Sequence, residues 1–294
     1  MDVEHGMPKS VTIFITTARS GTQRVAASLQ AADPDDAIVT HEPIAYRYRP
    51  RQFLRAYERM NDLWLIPEVE AHLQDILAID DQLSYIEVGF PCFAAIPLFH
   101  ELFGDRLRVV QLVRHPVPTS ASLVTHDWYH DVLKKHVRDH VAILPTDPSA
   151  FQKHYAKRWH ELSQYEKCLF YWTEIHLYGL EIQWRYHQVP FLRVRFEDVI
   201  SEPGSYLKQL VEFVGLPYRR EIAVSSVERL DRRLHKSKFP IDWSKVRDHA
   251  MSVALAESFG YDISNIDTRG FESRYLKEET RAAIAEPTSP HREV

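Results

Sequence analysis

The chain has 294 residues, of which 45% are hydrophobic and 26% charged, and its formal net charge is −5. This composition is typical of a globular protein, and the negative balance excludes a general attraction to nucleic acid or to anionic membranes. The polar start, Met1–Ser10, lacks the apolar core of a signal peptide, and no apolar run approaches the ~20 residues of a membrane helix. With only two cysteines, Cys92 and Cys168, we expect a cytoplasmic protein, and a single disulfide between them stays open.

Short apolar segments rich in β-branched residues alternate with helical patterns along the chain. This alternation predicts an α/β fold with a central, mostly parallel five-stranded sheet flanked by helices. We expect one domain over residues 1–277 and a flexible tail over residues 278–294. The predicted strands are Val11–Thr17, Ala37–Thr40, Ser84–Gly89, Leu107–Val113 and Pro190–Phe196. The predicted helical segments are Gln23–Gln30, Phe53–Met60, Glu68–Ile79, part of Ser149–His187, Ser205–Val214 and Asp248–Phe259.

The first predicted strand runs into a polar loop that opens the first helix, with the sequence Thr-Ala-Arg-Ser-Gly-Thr-Gln-Arg over residues 17–24. Backbone N–H groups at a helix start, with the positive end of the helix dipole behind them, form a site for phosphate or sulfate. Gly21 lets the backbone approach the anion closely, and Arg19 adds a fixed positive charge. Further side-chain donors come from Ser20, Thr22 and Gln23. A plain polar turn is the structural alternative.

This loop resembles the 5′-phosphosulfate loop of sulfotransferases that use 3′-phosphoadenosine 5′-phosphosulfate (PAPS), in which Lys or Arg precedes Ser-Gly-Thr. The resemblance implies a P-loop-like three-layer fold, PAPS as co-substrate, and a contact between Arg19 and the departing phosphate. Arg at this position is common in the carbohydrate and tyrosylprotein branches. The cytosolic phenol and steroid branch has Lys, and a Trp that stacks on adenine where this chain has Arg24. Arg24 is the candidate for that stacking contact.

The second predicted strand ends in Thr40-His41-Glu42-Pro43. Carbohydrate and tyrosylprotein sulfotransferases place a catalytic Glu comparably, often before Pro, whereas the cytosolic branch uses a His. We favour Glu42 as the general base, with His41 second, because a carboxylate can accept the acceptor's proton as the new bond forms. The alternative for Glu42 is an ion pair with one of the arginines that follow it, Arg47, Arg49 or Arg51.

The fourth predicted strand is followed by Arg114-His115-Pro116, and Ser122 lies eight residues after Arg114. Arg gives a phosphate bidentate, charge-assisted contacts, and Ser adds a hydroxyl donor. The pair resembles the 3′-phosphate motif of sulfotransferases, which implies that Arg114 and Ser122 bind the 3′-phosphate. A surface Arg at a strand end is the structural alternative.

The fifth predicted strand leads into Phe196-Glu197-Asp198, a helix and then Gly215-Leu216-Pro217. This stretch resembles the family's aromatic-Glu-Asp signature, in which the aromatic residue lies near the adenine, and it implies that role for Phe196. Later basic residues stand where the cytosolic branch closes a basic loop over the 3′-phosphate, although a solvated basic turn is an equal alternative. These residues are Arg232, Arg233, Lys236 and Lys238.

Four histidines, His126, His130, His136 and His140, would fall within about one third of a helix circumference at ~100° per residue. We favour an amphipathic helix with partly buried histidines, because Leu133 and Val137 share that arc. A lining for the acceptor pocket ranks second and a metal site third. No metal is expected.

The sequence therefore predicts an enzyme, a PAPS-dependent sulfotransferase that acts on a hydroxyl or amine by in-line transfer. The alternatives are a P-loop-like nucleotide kinase, which the absence of the Walker lysine disfavours, and a non-catalytic nucleotide-binding protein of the same fold. The acceptor is a small molecule or a glycan; the basic run over residues 46–51 would suit a polar or anionic one if it faces the cleft. No nucleic-acid partner is expected, and the oligomeric state stays open, a homodimer included.

Overall fold

A five-stranded parallel sheet organises the computed structural model, which describes residues 7–32, 35–219 and 235–285. Neighbouring strands pair in parallel in the order β2-β3-β1-β4-β5. The predicted α/β class with a central parallel sheet is confirmed, and the strand bounds differ from the prediction by at most two residues. The strands are β1 Ser10–Ile15, β2 Ala37–Thr40, β3 Ser84–Glu87, β4 Leu107–Val113 and β5 Phe191–Arg195.

Helices cover both faces of this sheet, and the longest, α7, starts at a capping box in which Ser163 and Glu166 satisfy each other's backbone N–H groups. The helices are α1 Thr22–Gln30, α2 Pro50–Phe53, α3 Pro67–Leu77, α4 Ile96–Phe103, α5 Pro116–Val124, α6 Lys135–His140, α7 Gln164–Arg185, α8 Phe196–Ser201, α9 Lys208–Phe213, α10 Ala250–Ser258, α11 Thr268–Tyr275 and α12 Glu278–Ala285. No helix of the described residues is both long and apolar enough to cross a membrane.

The side chains of β1 alternate between two hydrophobic cores, one on each face of the sheet. Ile13 and Ile15 face the larger core, where α7 contributes Trp172. Phe14 faces the smaller core, which packs against α1. Since β1 is buried on both faces, its near-continuous apolar sequence has a direct physical cause.

The crevice for a ligand lies where the chain changes direction across the sheet. From β1 the chain moves to β2 and β3 on one side, and then crosses to β4 and β5 on the other. The loops that follow β1 and β4 therefore diverge at the carboxyl ends of two adjacent strands. In open α/β sheets this switch point is the usual ligand position.

Two predicted helices are wrong because single residues adopt left-handed backbone angles. Instead of one helix over Phe53–Met60, α2 ends at Phe53 and a separate 3₁₀ helix covers Tyr57–Leu65. Between them Arg55 has φ 56°, with its guanidinium bound to Glu174 and Glu181. The predicted helix through the histidine-rich stretch is broken by Asp127 and Tyr129, both at φ 60°. That stretch forms turns, and α6 begins only at residue 135.

The chain after residue 277 starts with α12 rather than with irregular backbone, and Thr280 donates a hydrogen bond to the Lys238 carbonyl. Residues 286–294 of the expected tail lie outside the described residues, so the domain boundary stays a prediction. Cys92 and Cys168 are both buried and not joined by a disulfide.

Candidate active site

A cavity of about 590 Å³ opens at the carboxyl ends of the strands. One end is lined by the loop after β1, by Arg114 after β4 and by Phe196 after β5. The rest of the lining comes from the segment between α5 and α6, from His41 and Glu42 after β2, and from Tyr46 and Phe90. The volume lies within the ~300–1,000 Å³ of typical ligand pockets.

The loop after β1 is held in a conformation that only glycine allows at its centre. Gly21 has φ 85°, and a Cβ there would fall 2.0 Å from the Phe196 ring. Arg19 is also left-handed, at φ 66°, and Thr17 Oγ1 lies 2.7 Å from Ser20 Oγ beneath the loop. Gly21 gives α1 no side-chain cap, which suits its first N–H groups to an anion.

Of the predicted loop residues, most line the cavity and one does not. Ser20 is fully buried and fixes the loop through Thr17 instead of facing the cavity. The lining residues of this loop include Arg19, Gly21, Thr22, Gln23 and Arg24.

The loop after β1 and the Arg114 motif meet directly. Arg114 donates a hydrogen bond of 2.6 Å from Nη1 to the Arg19 carbonyl, and Arg19 Nε donates one of 3.2 Å to Ser122 Oγ. The Arg114 guanidinium also lies 5.4 Å from the centre of the Phe196 ring. Arg114 lines the cavity, whereas Ser122 lies behind Arg19 and supports it.

In the Phe196-Glu197-Asp198 signature, Phe196 lines the cavity and Glu197 stabilises the neighbouring backbone. Phe196 packs under Gly21 at the cavity. The Glu197 carboxylate accepts hydrogen bonds from the His115 N–H at 3.1 Å and from the Tyr261 hydroxyl at 2.7 Å. Glu197 therefore fixes the backbone next to Arg114 without entering the cavity.

Glu42 is held close to the backbone of a neighbouring loop. Its φ is 52°, and a Cβ on Gly89 would fall 2.6 Å from Glu42 Cγ, so Gly89 makes the approach feasible. Burial raises the pKa of Glu42 to about 7, although the Phe90 backbone N–H bound to the carboxylate acts in the opposite direction. A carboxyl that titrates near neutrality can exchange a proton at physiological pH.

His41 is oriented toward the anion loop. Its Nε2 lies 2.9 Å from Thr22 Oγ1 and 3.7 Å from Glu42 Oε1, and burial lowers its pKa. A neutral imidazole that already shares a hydrogen bond with Thr22 is placed to orient the loop and Glu42.

The arginines considered as partners for Glu42 have other partners or lie apart from it. Arg47 pairs with Glu68, and Arg51 forms a two-point contact with Asp147. Across the described residues no ion pair joins Glu42 to these two residues or to Arg49. From the same run only Tyr46 lines the cavity.

A buried polar cluster under the site was missed by the sequence analysis. Glu87, at the end of β3, is 1% exposed and accepts hydrogen bonds from the Tyr85 hydroxyl at 3.0 Å and from His72 Nε2 at 3.1 Å. Its negative charge contributes to the raised pKa of Glu42. The one signal in the sequence is a carboxylate at the end of an otherwise apolar strand.

Arg274 on α11 was also missed. It lines the cavity, and its buried Nε has no hydrogen-bond partner among the described residues. No local motif marks Arg274, since it lies some 160 residues after Arg114 in the sequence and only the fold brings them to one cavity.

The histidine-rich stretch contributes one lining residue, His126, whose Nδ1 lies 2.8 Å from the Ser122 carbonyl. His136 packs its ring 5.2 Å from the Tyr46 ring. The described residues contain no group of three or more His, Cys, Asp or Glu that could hold a metal. Of the late basic residues, Lys236 donates to the Ser273 carbonyl, whereas Arg232 and Arg233 lie outside the described residues.

The chain is similar to known sulfotransferases in its fold and in its sequence pattern. Three similar solved structures are a sulfotransferase domain of the olefin synthase from Synechococcus PCC 7002 (16% identity, 89% of this chain, 98% of that chain, TM-score 0.48), a sulfotransferase from Alicyclobacillus acidocaldarius (15%, 91%, 99%, 0.48) and a mouse sulfotransferase complexed with PAP (14%, 91%, 90%, 0.43). A search of curated proteins found no match. The family model of the sulfotransferase domain matches residues 9–247, most of the chain. The protein therefore belongs to the sulfotransferase family, whose members transfer sulfuryl groups.

Proposed function

We propose that this protein transfers a sulfuryl group from PAPS to a hydroxyl or amine of an acceptor, with Glu42 as general base. The observation that carries the proposal is that Arg19, Arg114 and Phe196 share one cavity with a carboxyl whose pKa is about 7. Phosphate-binding groups and a proton acceptor are the two components that an in-line transfer requires.

The nucleotide is assigned to the end of the cavity formed by the strand loops. Arg19 and the first N–H groups of α1 suit the 5′-phosphosulfate, because both direct positive charge to one point. Arg114 suits the 3′-phosphate, and Ser122 supports this region through its bond with Arg19. The Phe196 ring, under Gly21, is assigned to the adenine, with Arg24 as a second stacking candidate.

The proposed reaction is a direct displacement at sulfur. The acceptor oxygen or nitrogen attacks the sulfur, the bond from sulfur to the 5′-phosphate oxygen breaks, and the acceptor proton passes to the Glu42 carboxylate. The products are the sulfated acceptor and 3′-phosphoadenosine 5′-phosphate (PAP). Negative charge grows on the departing phosphate, where Arg19 stabilises it electrostatically. The proposal assigns the charge stabilisation to these side chains and requires no metal.

The catalytic arrangement favours the carbohydrate and tyrosylprotein type. The support is Arg19 in the loop together with Glu42, which follows β2 and precedes Pro43. In this arrangement His41 orients Thr22 and Glu42 and does not remove the proton.

Calorimetric titration with PAP, with Mg·ATP as the control, tests the nucleotide assignment. We expect PAP to bind and ATP to bind more weakly. Absence of PAP binding, or a preference for Mg·ATP, would remove the sulfotransferase proposal in favour of a kinase. PAP binding without consumption of PAPS, measured as PAP release with a panel of alcohols and amines, would instead indicate a non-catalytic nucleotide-binding protein.

A further inference from the structure

The segment that carries Glu42 has an unusual backbone. Seven non-glycine residues of the described chain adopt left-handed angles, and four of them lie within residues 42–55. These four are Glu42 (φ 52°), Ala45 (φ 48°), Arg49 (φ 46°) and Arg55 (φ 56°). A side chain with a Cβ disfavours this conformation, and Asn and Asp, which adopt it most readily, are not among the four. The backbone of segment 42–55 is therefore strained, and its surroundings must hold it.

The end of this segment is held by Arg55. Its Nε donates a hydrogen bond of 2.6 Å to Glu181, and its Nη1 donates one of 3.2 Å to Glu174. Both carboxylates belong to α7, and Glu174 is fully buried. Because separating a buried ion pair is costly, this contact fixes the left-handed residue Arg55 against the longest helix.

The middle of the segment is held by Arg51, on α2. Its Nε and Nη2 donate hydrogen bonds of 2.9 and 2.8 Å to the two carboxylate oxygens of Asp147. Its Nη1 donates a third, of 2.8 Å, to the Arg138 carbonyl in α6. The side chains of Arg51 and Asp147 are only 20% and 12% exposed, and a two-point contact fixes the orientation of both groups. One guanidinium therefore joins α2, α6 and the loop that follows α6.

Helix α6 depends on this contact. With six residues, Lys135–His140, it is too short to be stable by itself, and the carbonyl groups of its last turn have no partner within the helix. The bond from Arg51 supplies a partner for one of them, the carbonyl of Arg138. Removal of the Arg51 guanidinium should therefore loosen α6.

Helix α6 packs on the part of the segment that lies next to Glu42. The His136 ring of α6 lies 5.2 Å from the ring of Tyr46, which belongs to a 3₁₀ turn over Ala45–Tyr48. That turn is linked to the proposed base, because the Ala45 N–H donates a hydrogen bond of 3.0 Å to the Glu42 carbonyl. The contacts form a continuous path from α6 to Glu42.

We propose that Arg51 is a positioning residue of the reaction: paired with Asp147, it keeps segment 42–55 in its left-handed conformation and so keeps the Glu42 carboxylate at the cavity. This inference rests on the proposed function, since it concerns the base of the same reaction. Without Arg51 the left-handed residues can relax to more favourable angles, and a rotation at any of them would move Glu42 relative to the cavity.

The first experiment separates catalysis from nucleotide binding. In Arg51→Ala, kcat should fall about 10-fold because Glu42 is misplaced, whereas the Kd for PAP by calorimetry should stay within twofold. Turnover is measured as PAP release at saturating PAPS, with the alcohol or amine of the test panel that the wild-type protein uses fastest. Arg47→Ala is the matched control and should change neither constant, since Arg47 lies in the same segment but is paired with Glu68 at the surface.

Asp147→Asn is a second variant, which tests the same pair should Arg51→Ala fail to fold. It keeps the shape of the side chain and removes its charge, so kcat should fall about 5-fold. In folded variants, a kcat within twofold of the wild-type value, or a Kd for PAP that rises as much as kcat falls, would overturn the inference.

The second experiment tests the link to backbone strain. Ala45 is exposed, and glycine adopts its φ of 48° freely. In the Arg51→Ala protein, Ala45→Gly should therefore recover kcat about 3-fold, and in the wild-type protein it should change kcat little. Absence of recovery would refute that Arg51 acts through the left-handed backbone.

The third experiment needs no acceptor and follows amide hydrogen exchange of the full chain with PAP bound. In Arg51→Ala, exchange should be at least about 5-fold faster over residues 42–55 and in α6, and unchanged in the loop over residues 17–24. Unchanged exchange over residues 42–55 would overturn the inference and leave the proposed function standing. Failure of the wild-type protein to bind PAP would overturn the proposed function instead.

Discussion

The two ends of the cavity are built in different ways. The end that we assign to the nucleotide, the nucleotide end, comes from short segments that directly follow β1, β4 and β5, and a hydrogen bond from Arg114 to the Arg19 carbonyl joins two of them. The rest of the cavity, which we assign to the acceptor and call the acceptor end, comes from turns between α5 and α6 that pack against Tyr46 and Phe90. One end is dictated by strand order, and the other by how a connecting segment packs.

The two ends also differ in chemistry. The first end carries three arginines, Arg19, Arg24 and Arg114, whereas most of the side chains at the second end are aromatic or aliphatic. Glu42 belongs to neither group. Burial raises its pKa, the Phe90 backbone N–H acts in the opposite direction, and the charge of Glu87 adds to the rise. Affinity for the nucleotide, affinity for the acceptor and the chemical step should therefore be separable by mutation.

The sharpest separation concerns the chemical step. Glu42→Gln keeps the shape of the side chain and removes the proton acceptor, so we expect kcat to fall by about 1,000-fold. The Kd for PAP should stay within twofold of the wild-type value by calorimetry, since Glu42 lies outside the proposed nucleotide contacts. A large loss of PAP affinity would show that Glu42 also takes part in nucleotide binding, and the separation of the two ends would then be wrong.

His41→Ala serves as the companion to that variant. Because His41 contacts Thr22 and Glu42, its loss should lower kcat by only about 10-fold, through misplacement of both groups. If Glu42→Gln keeps normal turnover while His41→Ala abolishes it, the base is His41.

Substitutions at the nucleotide end should change the affinity for PAP. Arg114→Ala removes a guanidinium that lines the cavity and packs on the Phe196 ring, and we expect the Kd for PAP to rise on the order of 100-fold. Arg59→Ala, which removes an exposed arginine paired with Asp62, is the control and should leave PAP binding unchanged. An unaltered Kd in Arg114→Ala would refute its phosphate role.

Local sequence patterns predicted that the loops after β1 and β4 lie at one edge of the sheet. Each segment of the nucleotide end starts at a strand end, and β1 and β4 are recognisable because strands buried on both faces are apolar at most positions. Arg19 and Arg114 could thus be assigned to one edge before the fold was known. The sequence did not show which of the predicted residues line the cavity. Ser20 and Ser122 instead support the loop through hydrogen bonds with Thr17 and Arg19.

The structure of the acceptor end could not be predicted from local sequence patterns, for a physical reason. The helical period in the histidine-rich stretch is real in the sequence, but left-handed angles at Asp127 and Tyr129 break the helix. Such angles depend on tertiary packing, as does the helix break at Arg55, which two distant carboxylates hold. Arg274 was missed because only long-range folding brings α11 to the cavity.

The pH dependence tests how Glu42 is tuned. The carboxylate is the active form of the base, and its pKa of about 7 means that kcat should rise with pH across that value. From pH 6 to pH 8 the ionised fraction increases about 10-fold, and kcat at saturating PAPS should follow it. A profile that is flat over this range, while the protein stays folded by circular dichroism, would show that the proton is not removed by a group with the pKa of Glu42.

The smallest expected effect concerns Arg274, which no motif predicts. Its Nε is buried without a hydrogen-bond partner among the described residues, so a bound anion would supply the contact that this nitrogen lacks. Because the side chain is only partly buried, Arg274→Gln should weaken PAP binding by about 5-fold, and the difference should shrink as salt is raised. Arg269→Gln is a matched control, since Arg269 is exposed on the same helix and does not line the cavity. Equal effects of the two variants would indicate general attraction by the charge of α11, and an unchanged Kd in Arg274→Gln would assign Arg274 no part in holding the nucleotide.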